Sequence, residues 1–483
     1  MGNTQTFYWH DYETFGTDPR KDKPVQFAGI RTDFDFNVVD VPLVVYCKPA
    51  ADCLPHPDAC LITGITPQLA EQKGVCEAEF IRQIHEQLSQ PNTCTLGYNS
   101  LRFDDEVTRN SLYRNFYDPY AREWQNGNSR WDIIDVIRAA RALRPEGIIW
   151  PVNEEGKPSF RLDQLTKANN IAHEAAHDAL SDVNATIAIT RLVKQAQPKL
   201  FQFLLQHRVK AEALNLLQFG SFKPVVHISG KYLSVKNCLA IVLPVCKHPT
   251  NSNGIIVYDL SVDPEPMLSL SQEEIQQRIF TATDDLPEGI ARIPLKTVHI
   301  NKCPVLAPIS VIRPNDELRL EIDLALCYAN IEKIKKATGL AEKLTQVFSG
   351  QTYDMQDADP DLAIYSGGFF TETDKQKMTR IRVMPAEQLA KAAFDFADAR
   401  LPEMLFRYRA RNFPETLSSD EALRWNEFCV NRLTGRRPGA GILLDAYFSR
   451  LQELRSDKNV NLDIIDALNA YAVEKMERLG ITK

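Results

Sequence analysis

The chain lacks the sequence features of membrane, exported and zinc-binding proteins. It has no run of about 18 apolar residues, so we expect no membrane span and no membrane partner. Its N-terminus shows no basic segment followed by an apolar stretch and a small-residue cleavage site, which argues against a signal peptide. Its ten cysteines include no CxxC pair, so we expect reduced thiols in a cytoplasmic protein and no zinc site.

The sequence also contains no internal repeat and no low-complexity tract. The 483 residues are 44% hydrophobic and 25% charged, which is the composition of a globular protein, and this length predicts two to four domains. The formal net charge of −7 gives no support to non-specific nucleic-acid binding. It does not exclude such binding, because a basic groove can coexist with acidic outer faces.

Changes in residue pattern divide the chain into three predicted domains. Strands and helices are mixed up to Gln197-Pro198, where a helix is expected to stop. Short β-rich runs separated by turn residues then indicate a small barrel. A linker at 357–368 precedes a segment that is almost wholly helical. We therefore predict an α/β domain at 1–197, a barrel domain at 198–351 and an all-α domain at 352–483.

An aromatic run at Phe7–Tyr12 predicts the first, central strand of a sheet, followed by two antiparallel strands at 26–32 and 42–47. Asp11 and Glu13 interrupt this run, and side chains two apart on a strand project from the same face. Two carboxylates this close raise each other's pKa unless a cation lies between them. The pair therefore indicates either a polar strand end or half of a carboxylate site for Mg²⁺ or Mn²⁺.

Two later segments offer further acids and a histidine. Asp104 follows a short strand that ends at Gly97, and His177 precedes Asp182 by five residues at the start of a helix. Four carboxylates roughly match the charge of two divalent ions, which can stabilise both the attacking and the leaving oxygen of a phosphoryl displacement. A nearby histidine can take the proton of the attacking water. Each residue alone has a structural alternative, and only the combination predicts a site.

Aromatic and arginine residues are interleaved at 113–151. One interpretation is a core patch with arginines that extend outward to solvent. The other is a surface that stacks unpaired bases and contacts phosphates. The residues concerned are Tyr113, Arg114, Phe116, Tyr117, Tyr120, Arg122, Trp124, Arg130, Trp131, Arg138, Arg141 and Arg144.

The order of D-x-E at Asp11, F-D at Asp104 and H-x4-D at His177 resembles the histidine-bearing branch of the DEDD exonuclease superfamily. Longer stretches resemble the bacterial exonuclease I family, which are 3′→5′ exodeoxyribonucleases of single-stranded DNA. These stretches are His10–Gly16, Gly97–Asn110, Tyr113–Tyr120, Ala142–Gly147, His299–Pro304 and Tyr408–Pro414. The segment Tyr365–Phe369 departs from the family pattern by one extra residue.

This resemblance implies an RNase H-like exonuclease domain, an SH3-like β-barrel domain and an all-α C-terminal domain. It implies two Mg²⁺ ions, replaceable by Mn²⁺, at Asp11, Glu13, Asp104 and Asp182. His177 is then the general base, and Glu13 and Arg161 contact the substrate. DNA contacts are implied for Arg109, Tyr120, Trp124, Arg138, Phe203, Lys210, Asn253, Lys296 and Tyr365.

The same resemblance implies a role in DNA repair and recombination. It also implies two partners: single-stranded DNA and the acidic C-terminal tail of single-stranded-DNA-binding protein. We expect a monomer.

Two other functions fit parts of the sequence. An RNA-trimming 3′→5′ exoribonuclease of the same superfamily would share the acids, although its relatives lack the two later domains. A catalytically inactive DNA-binding or scaffolding protein is the other alternative, and the complete set of four acids and one histidine argues against it.

Overall fold

The computed structural model describes residues 5–173, 176–350 and 359–481. These residues form two compact units, the first from the described parts of 1–130, 173–186 and 355–483, and the second from the described parts of 131–172 and 187–354. Within the described ranges, no helix is both long and apolar enough to cross a membrane. The predicted domain boundary at 351/352 and the first two residues of the predicted linker lie outside the described residues.

The strands are β1 (Thr6–Thr14), β2 (Pro24–Thr32), β3 (Leu43–Tyr46), β4 (Thr93–Gly97), β5 (Ser129–Asp132), β6 (Val225–Ile228), β7 (Leu239–Lys247), β8 (Gly254–Asp259), β9 (Leu295–His299) and β10 (Val305–Pro308). The helices up to residue 216 are α1 (Pro57–Thr63), α2 (Pro67–Lys73), α3 (Glu77–Leu88), α4 (Asp104–Arg114), α5 (Ile133–Leu143), α6 (Leu162–Ala168), α7 (Ala179–Ala196), α8 (Pro198–His207) and α9 (Lys210–Leu216). Later helices are α10 (Glu265–Ser269), α11 (Gln272–Phe280), α12 (Pro314–Arg319), α13 (Leu324–Lys336), α14 (Leu340–Ser349), α15 (Glu372–Val383), α16 (Ala386–Leu389), α17 (Leu401–Asn412), α18 (Ser419–Leu433), α19 (Leu444–Arg455) and α20 (Leu462–Leu479).

The N-terminal sheet has the strand order β3-β2-β1-β4-β5. Strand β1 runs antiparallel to β2 and parallel to β4, so the predicted central strand and antiparallel opening are confirmed. The aromatic residues explain this position, because both faces of β1 are covered and its residues are almost all buried. Glu13 lies directly opposite Gln26 in the β1–β2 register.

Helices of the C-terminal segment share a hydrophobic core with the N-terminal segment inside the first unit. This core includes Phe15 and Val25 together with Phe406, Trp425 and Ile442. The sequence pattern predicted a segment that is almost wholly helical from about residue 372, and six helices, α15 to α20, make up most of the described residues there.

The second unit contains five antiparallel strands in the order β10-β6-β7-β8-β9. All five lie within 198–351, where the short β-rich runs of the sequence predicted strands. Their inward residues form a core that includes Val225, Val242, Val257 and Val298. β-Branched residues fit such a pleated, half-covered surface.

Candidate active site

Asp11 and Glu13 face the same side of the central strand β1. They alternate with Tyr12, whose ring packs in the core against Phe27 and Phe80. This alternation follows from the two-residue period of a strand. Glu13 is buried and Asp11 is half-buried. The core aromatic residues therefore fix the direction in which both acids project.

Asp104 is brought to this strand as the first residue of α4. The backbone N–H of Tyr12 donates to Oδ1 of Asp104 at 3.0 Å. This bond joins the C-terminal end of β1 to a helix N-terminus, where the helix dipole favours a negative charge. Asp104 is buried and close enough to Asp11 to perturb its ionisation.

Asp182 enters the site from the first turn of α7. Its Oδ1 lies 2.5 Å from Nε2 of His173, and its Oδ2 accepts from the backbone N–H of His177 at 3.3 Å. One potential ligand atom from each of Glu13, His177 and Asp182 lies within 4.8 Å of the other two. His177 is exposed and has φ of 70°, a left-handed conformation that is uncommon outside glycine.

The carboxylates perturb one another's ionisation. Burial, followed by the charges of Asp104 and Glu13, holds the pKa of Asp11 well above its ordinary value. Burial, followed by the charges of Asp182 and Asp104, raises the pKa of Glu13 to about 9. Such shifts arise when like charges share a poorly solvated volume with no cation between them. Four carboxylates and a histidine fit a hard divalent cation.

Three residues of this site were missed by sequence reasoning. His173 contacts Asp182, and its side chain is only 5% exposed. The charge of Asp178 adds to the raised pKa of both Asp11 and Glu13. Gln26 donates to Oδ1 of Asp178 at 3.0 Å. Asp178 directly follows the predicted base, which was a usable signal, whereas Gln26 depends on strand register that no local motif gives.

Three of the predicted DNA contacts form one cluster in the first unit. Arg109 donates to Glu123 at 2.7 Å and to Glu106 at 2.6 Å. The hydroxyl of Tyr365 donates to Glu106, and the Arg109 guanidinium lies over the Tyr120 ring, 5.3 Å from its centroid. The positive charge of Arg109 is therefore neutralised within the protein, which the sequence did not indicate.

Trp124 is the fourth predicted DNA contact in the first unit, and it is 66% exposed. Most of the aromatic and arginine residues around it in sequence are instead buried: Tyr113, Arg114, Phe116, Arg122, Arg130, Trp131 and Arg138. Arg122 and Arg130 donate to the buried Asp105 at 2.6 and 2.8 Å. The core interpretation therefore holds for most of the aromatic residues, but it was wrong that the arginines extend to solvent, because four of them are buried. The stacking interpretation is left with Trp124 and the half-buried Tyr120.

The other predicted substrate contacts belong to the second unit. Arg161 is exposed, and its Nε lies 3.2 Å from Oδ1 of Asp163. Arg138 is buried and donates to Asp135 at 2.6 Å. The remaining four each contact a neighbour: Lys210 donates to Asn253 at 2.7 Å, Phe203 stacks on His207 with centroids 4.0 Å apart, and Lys296 lies 4.1 Å from the Tyr232 centroid.

Three family models match the chain in succession. The model described as "Exonuclease" matches residues 8–190, "Exonuclease I SH3-like domain" matches residues 208–350, and "Exonuclease I C-terminal domain" matches residues 358–475. The predicted fold class is confirmed: an exonuclease domain, an SH3-like domain and a helical C-terminal domain.

Named relatives match over nearly the whole chain. Exodeoxyribonuclease I of Escherichia coli K12 is 46% identical over 97% of this chain and 98% of its own length. A structure of exonuclease I from Methylocaldum szegediense is 52% identical with a TM-score of 0.94, covering 98% of this chain and all of that one. The E. coli enzyme in complex with a dA16 oligonucleotide has a TM-score of 0.92 at 46% identity, with 98% and 100% coverage.

Two further solved structures are similar over the same lengths. One is a zinc-bound form of an E. coli complex with single-stranded DNA, at 46% identity and a TM-score of 0.92. The other is described as an ExoI/SSB-Ct complex, at 45% identity and a TM-score of 0.90.

Proposed function

The chain belongs to the exonuclease I family, and we propose how it acts as an exodeoxyribonuclease. It removes 5′-mononucleotides from the 3′ end of single-stranded DNA by two-metal-ion hydrolysis. The observation that carries this mechanism is that Asp11, Glu13, Asp104 and Asp182 share one poorly solvated volume. Burial, and then the charges of the neighbouring carboxylates, raise the pKa of Asp11 and Glu13. Because ionising these carboxylates without a cation between them costs free energy, the site is suited to bind a divalent cation.

We propose Mg²⁺ as the ion, with Mn²⁺ as a substitute, held by Asp11, Glu13, Asp104 and Asp182. Carboxylate oxygens are the ligands that small, hard cations prefer. When bound, a pair of such ions supplies stabilisation of the charge on the attacking and leaving oxygens. The zinc-bound form of the E. coli relative supports a divalent metal in this family.

The protein's own residues orient this site. The N–H of Tyr12 fixes one oxygen of Asp104, and His173 fixes one oxygen of Asp182. We propose that a ring nitrogen of His177 takes the proton of the attacking water, since the ring is exposed and lies beside Asp182. Glu13 and Arg161 are proposed substrate contacts, and the exposed guanidinium of Arg161 suits a phosphate.

Binding of the single strand is proposed to combine base stacking with neutralisation of phosphates. Trp124 offers an exposed ring, and Lys210 and Arg161 offer exposed cations. The other proposed contacts are Arg109, Tyr120, Arg138, Phe203, Asn253, Lys296 and Tyr365. Such binding should weaken as salt rises, because Lys and Arg contacts displace counterions from the strand.

We further propose three domains at 1–197, 198–351 and 352–483. We also propose that the protein acts in the cytoplasm, where thiols stay reduced, and its ten free cysteines support this location. The acidic C-terminal tail of single-stranded-DNA-binding protein is the proposed protein partner, because the structure of one relative is described as an ExoI/SSB-Ct complex.

A nuclease assay on matched strands tests this function. Single-stranded DNA, duplex DNA and single-stranded RNA of one sequence, each labelled at the 5′ end, are incubated with Mg²⁺ or with EDTA. We expect mononucleotide release and 3′ shortening only for single-stranded DNA with Mg²⁺. Asp104→Ala should abolish turnover, whereas the surface variant Glu71→Gln should retain it. Degradation of RNA in preference to DNA would instead identify an exoribonuclease.

A further inference from the structure

Three residues form a row across the edge of the N-terminal sheet. Glu13 on β1 lies opposite Gln26 on β2, and Gln26 lies opposite Tyr46 on β3. Side chains directly opposite each other in antiparallel strands project from the same face. Gln26 therefore stands between a carboxylate of the active site and the outer strand, and it is only 1% exposed.

The side-chain amide of Gln26 forms three hydrogen bonds, two of them to the segment that carries the proposed general base. Its Nε2 donates to Oδ1 of Asp178 and to the hydroxyl of Tyr46, both at 3.0 Å. Its Oε1 accepts from the backbone N–H of Ala179 at 3.2 Å. Asp178 and Ala179 directly follow His177, so two of these three bonds act on its immediate neighbours.

Asp178 continues this connection into helix α7. Its Oδ2 accepts from the backbone N–H of Ser181 at 3.2 Å, and its carbonyl oxygen accepts from the N–H of Asp182 at 3.0 Å. An aspartate that caps a helix in this way fixes the first turn. The first turn of α7 is where Asp182 is presented to the other carboxylates.

We propose that Gln26, acting through Asp178 and Ala179, is a positioning residue that holds His177 and Asp182 in register with Glu13. This rests on the proposed function, because it assigns the roles of base and ligand to these residues. The physical reason is that the backbone of His177 is in a left-handed conformation, which costs free energy. Its side chain is exposed, so the contacts that hold this conformation must come from neighbouring residues. A misplacement of about 1 Å in such a constellation can cost about a hundredfold in rate.

Gln26→Met tests the proposal, because methionine has nearly the same shape and cannot form these hydrogen bonds. Tyr46→Phe is the matched control, since it removes only the outer bond of Gln26. We expect Gln26→Met to lower kcat by about 10- to 100-fold, with KM and the DNA affinity in EDTA within about twofold of wild type. Tyr46→Phe should leave kcat within about twofold.

Hydrogen exchange gives a readout that does not depend on activity. In Gln26→Met, amides of the segment 176–183 should exchange faster than in wild type, whereas Tyr46→Phe should leave them protected. Unchanged exchange with unchanged kcat would overturn the proposal. So would a uniform loss of protection across the chain, because that would indicate a general folding role.

Asp178→Ala removes the same contact from the other side and covers the case in which Gln26→Met does not fold. At saturating Mg²⁺, the double variant should lose less rate than the product of the two single losses, because Gln26 and Asp178 share one hydrogen bond. If the rate loss of the double variant equalled the product of the two single losses, the proposal would be overturned. If the wild type did not degrade single-stranded DNA, the proposed function would fail, while the exchange experiment would still test the contact.

Discussion

The Nε2 atom of His173 lies 2.5 Å from Oδ1 of Asp182, so the first of two nearby histidines is the one bonded to this carboxylate. The second, His177, contacts the same carboxylate only through its backbone N–H and is exposed. The two residues are thus suited to different tasks. A buried imidazole can orient a carboxylate, whereas an exposed imidazole can exchange protons with water.

Substitution of each histidine should separate these two tasks. His177→Ala is expected to lower kcat by about 10²- to 10⁴-fold, the usual contribution of a general base, with little change in the Mg²⁺ concentration required. His173→Ala should raise the required Mg²⁺ concentration by about 10- to 100-fold, because Asp182 loses its orienting partner. Rates measured across a Mg²⁺ titration check both. The opposite pattern would exchange the two roles.

Removal of one negative charge from the site should stabilise the metal-free protein. Burial and the neighbouring carboxylates raise the folded-state pKa of Glu13 to about 9. The free energy of unfolding of wild type therefore falls as pH rises from the ordinary pKa of a glutamate towards 9, because Glu13 is ionised in the unfolded chain but must be protonated to fold. In EDTA, Glu13→Gln should melt above wild type, and the gap should widen between about pH 5 and 9. Added Mg²⁺ should stabilise only wild type, and the variant should lose turnover. A gap that shrinks as pH rises would contradict this account.

Trp124 and Arg109 should respond differently to alanine substitution. Trp124 is 66% exposed, so Trp124→Ala should leave the melting temperature unchanged. A ring on which a base stacks contributes about 1–3 kcal/mol to binding, so its loss should weaken the affinity for single-stranded DNA by about 5- to 100-fold. Homopolymers of different bases should be affected alike.

Arg109→Ala should instead lower the melting temperature, since it removes the cation paired with Glu106 and one of the buried guanidinium partners of Glu123. Thermal melting and DNA binding measured on both variants make the comparison. Equal melting temperatures for the two variants would show that the Arg109 ion pairs are not structural.

A buried ion-pair network in the first unit should make stability sensitive to acid. Asp52 is fully buried and accepts from Arg411 at 2.8 Å and from Arg432 at 2.5 Å. Burial alone would raise the pKa of Asp52, but Arg411 and Arg432 hold it well below its usual range. Because the folded pKa is depressed, this stability is present above the unfolded pKa near 4 and is lost as pH falls below it.

Asp52→Ala should therefore lower the melting temperature by several degrees at pH 7, since it removes one of the two carboxylate partners of each of two buried guanidinium groups. The matched control is Glu71→Ala, which removes one half of an exposed pair with Lys48 and should change little. The difference between Asp52→Ala and wild type should narrow towards pH 3. A difference that is constant with pH would mean that packing, and not charge, is responsible.

The sequence by itself determined the chemistry and the course of the central strand. Asp11 and Glu13 are two residues apart, and the period of a strand alone places them on one face. The aromatic residues around them have no stable place except the interior, so β1 had to be central. The order of motifs identified the family, and the β-rich and helical textures located the later strands and helices. These properties depend on neighbours in sequence, which is why they could be read locally.

Tertiary structure alone decided which partners the functional side chains have. Gln26 and Asp178 are 152 positions apart, and only the packing of the segment before α7 against strand β2 brings them to 3.0 Å. Arg109 was predicted as a DNA contact, yet Glu123 and Glu106 neutralise it once α4 and the following turn are packed. His173 and His177 differ little in sequence context, but one is buried and the other exposed. The free energy of an ionisable or polar group depends on burial and on the charges around it, and both exist only after the chain has folded.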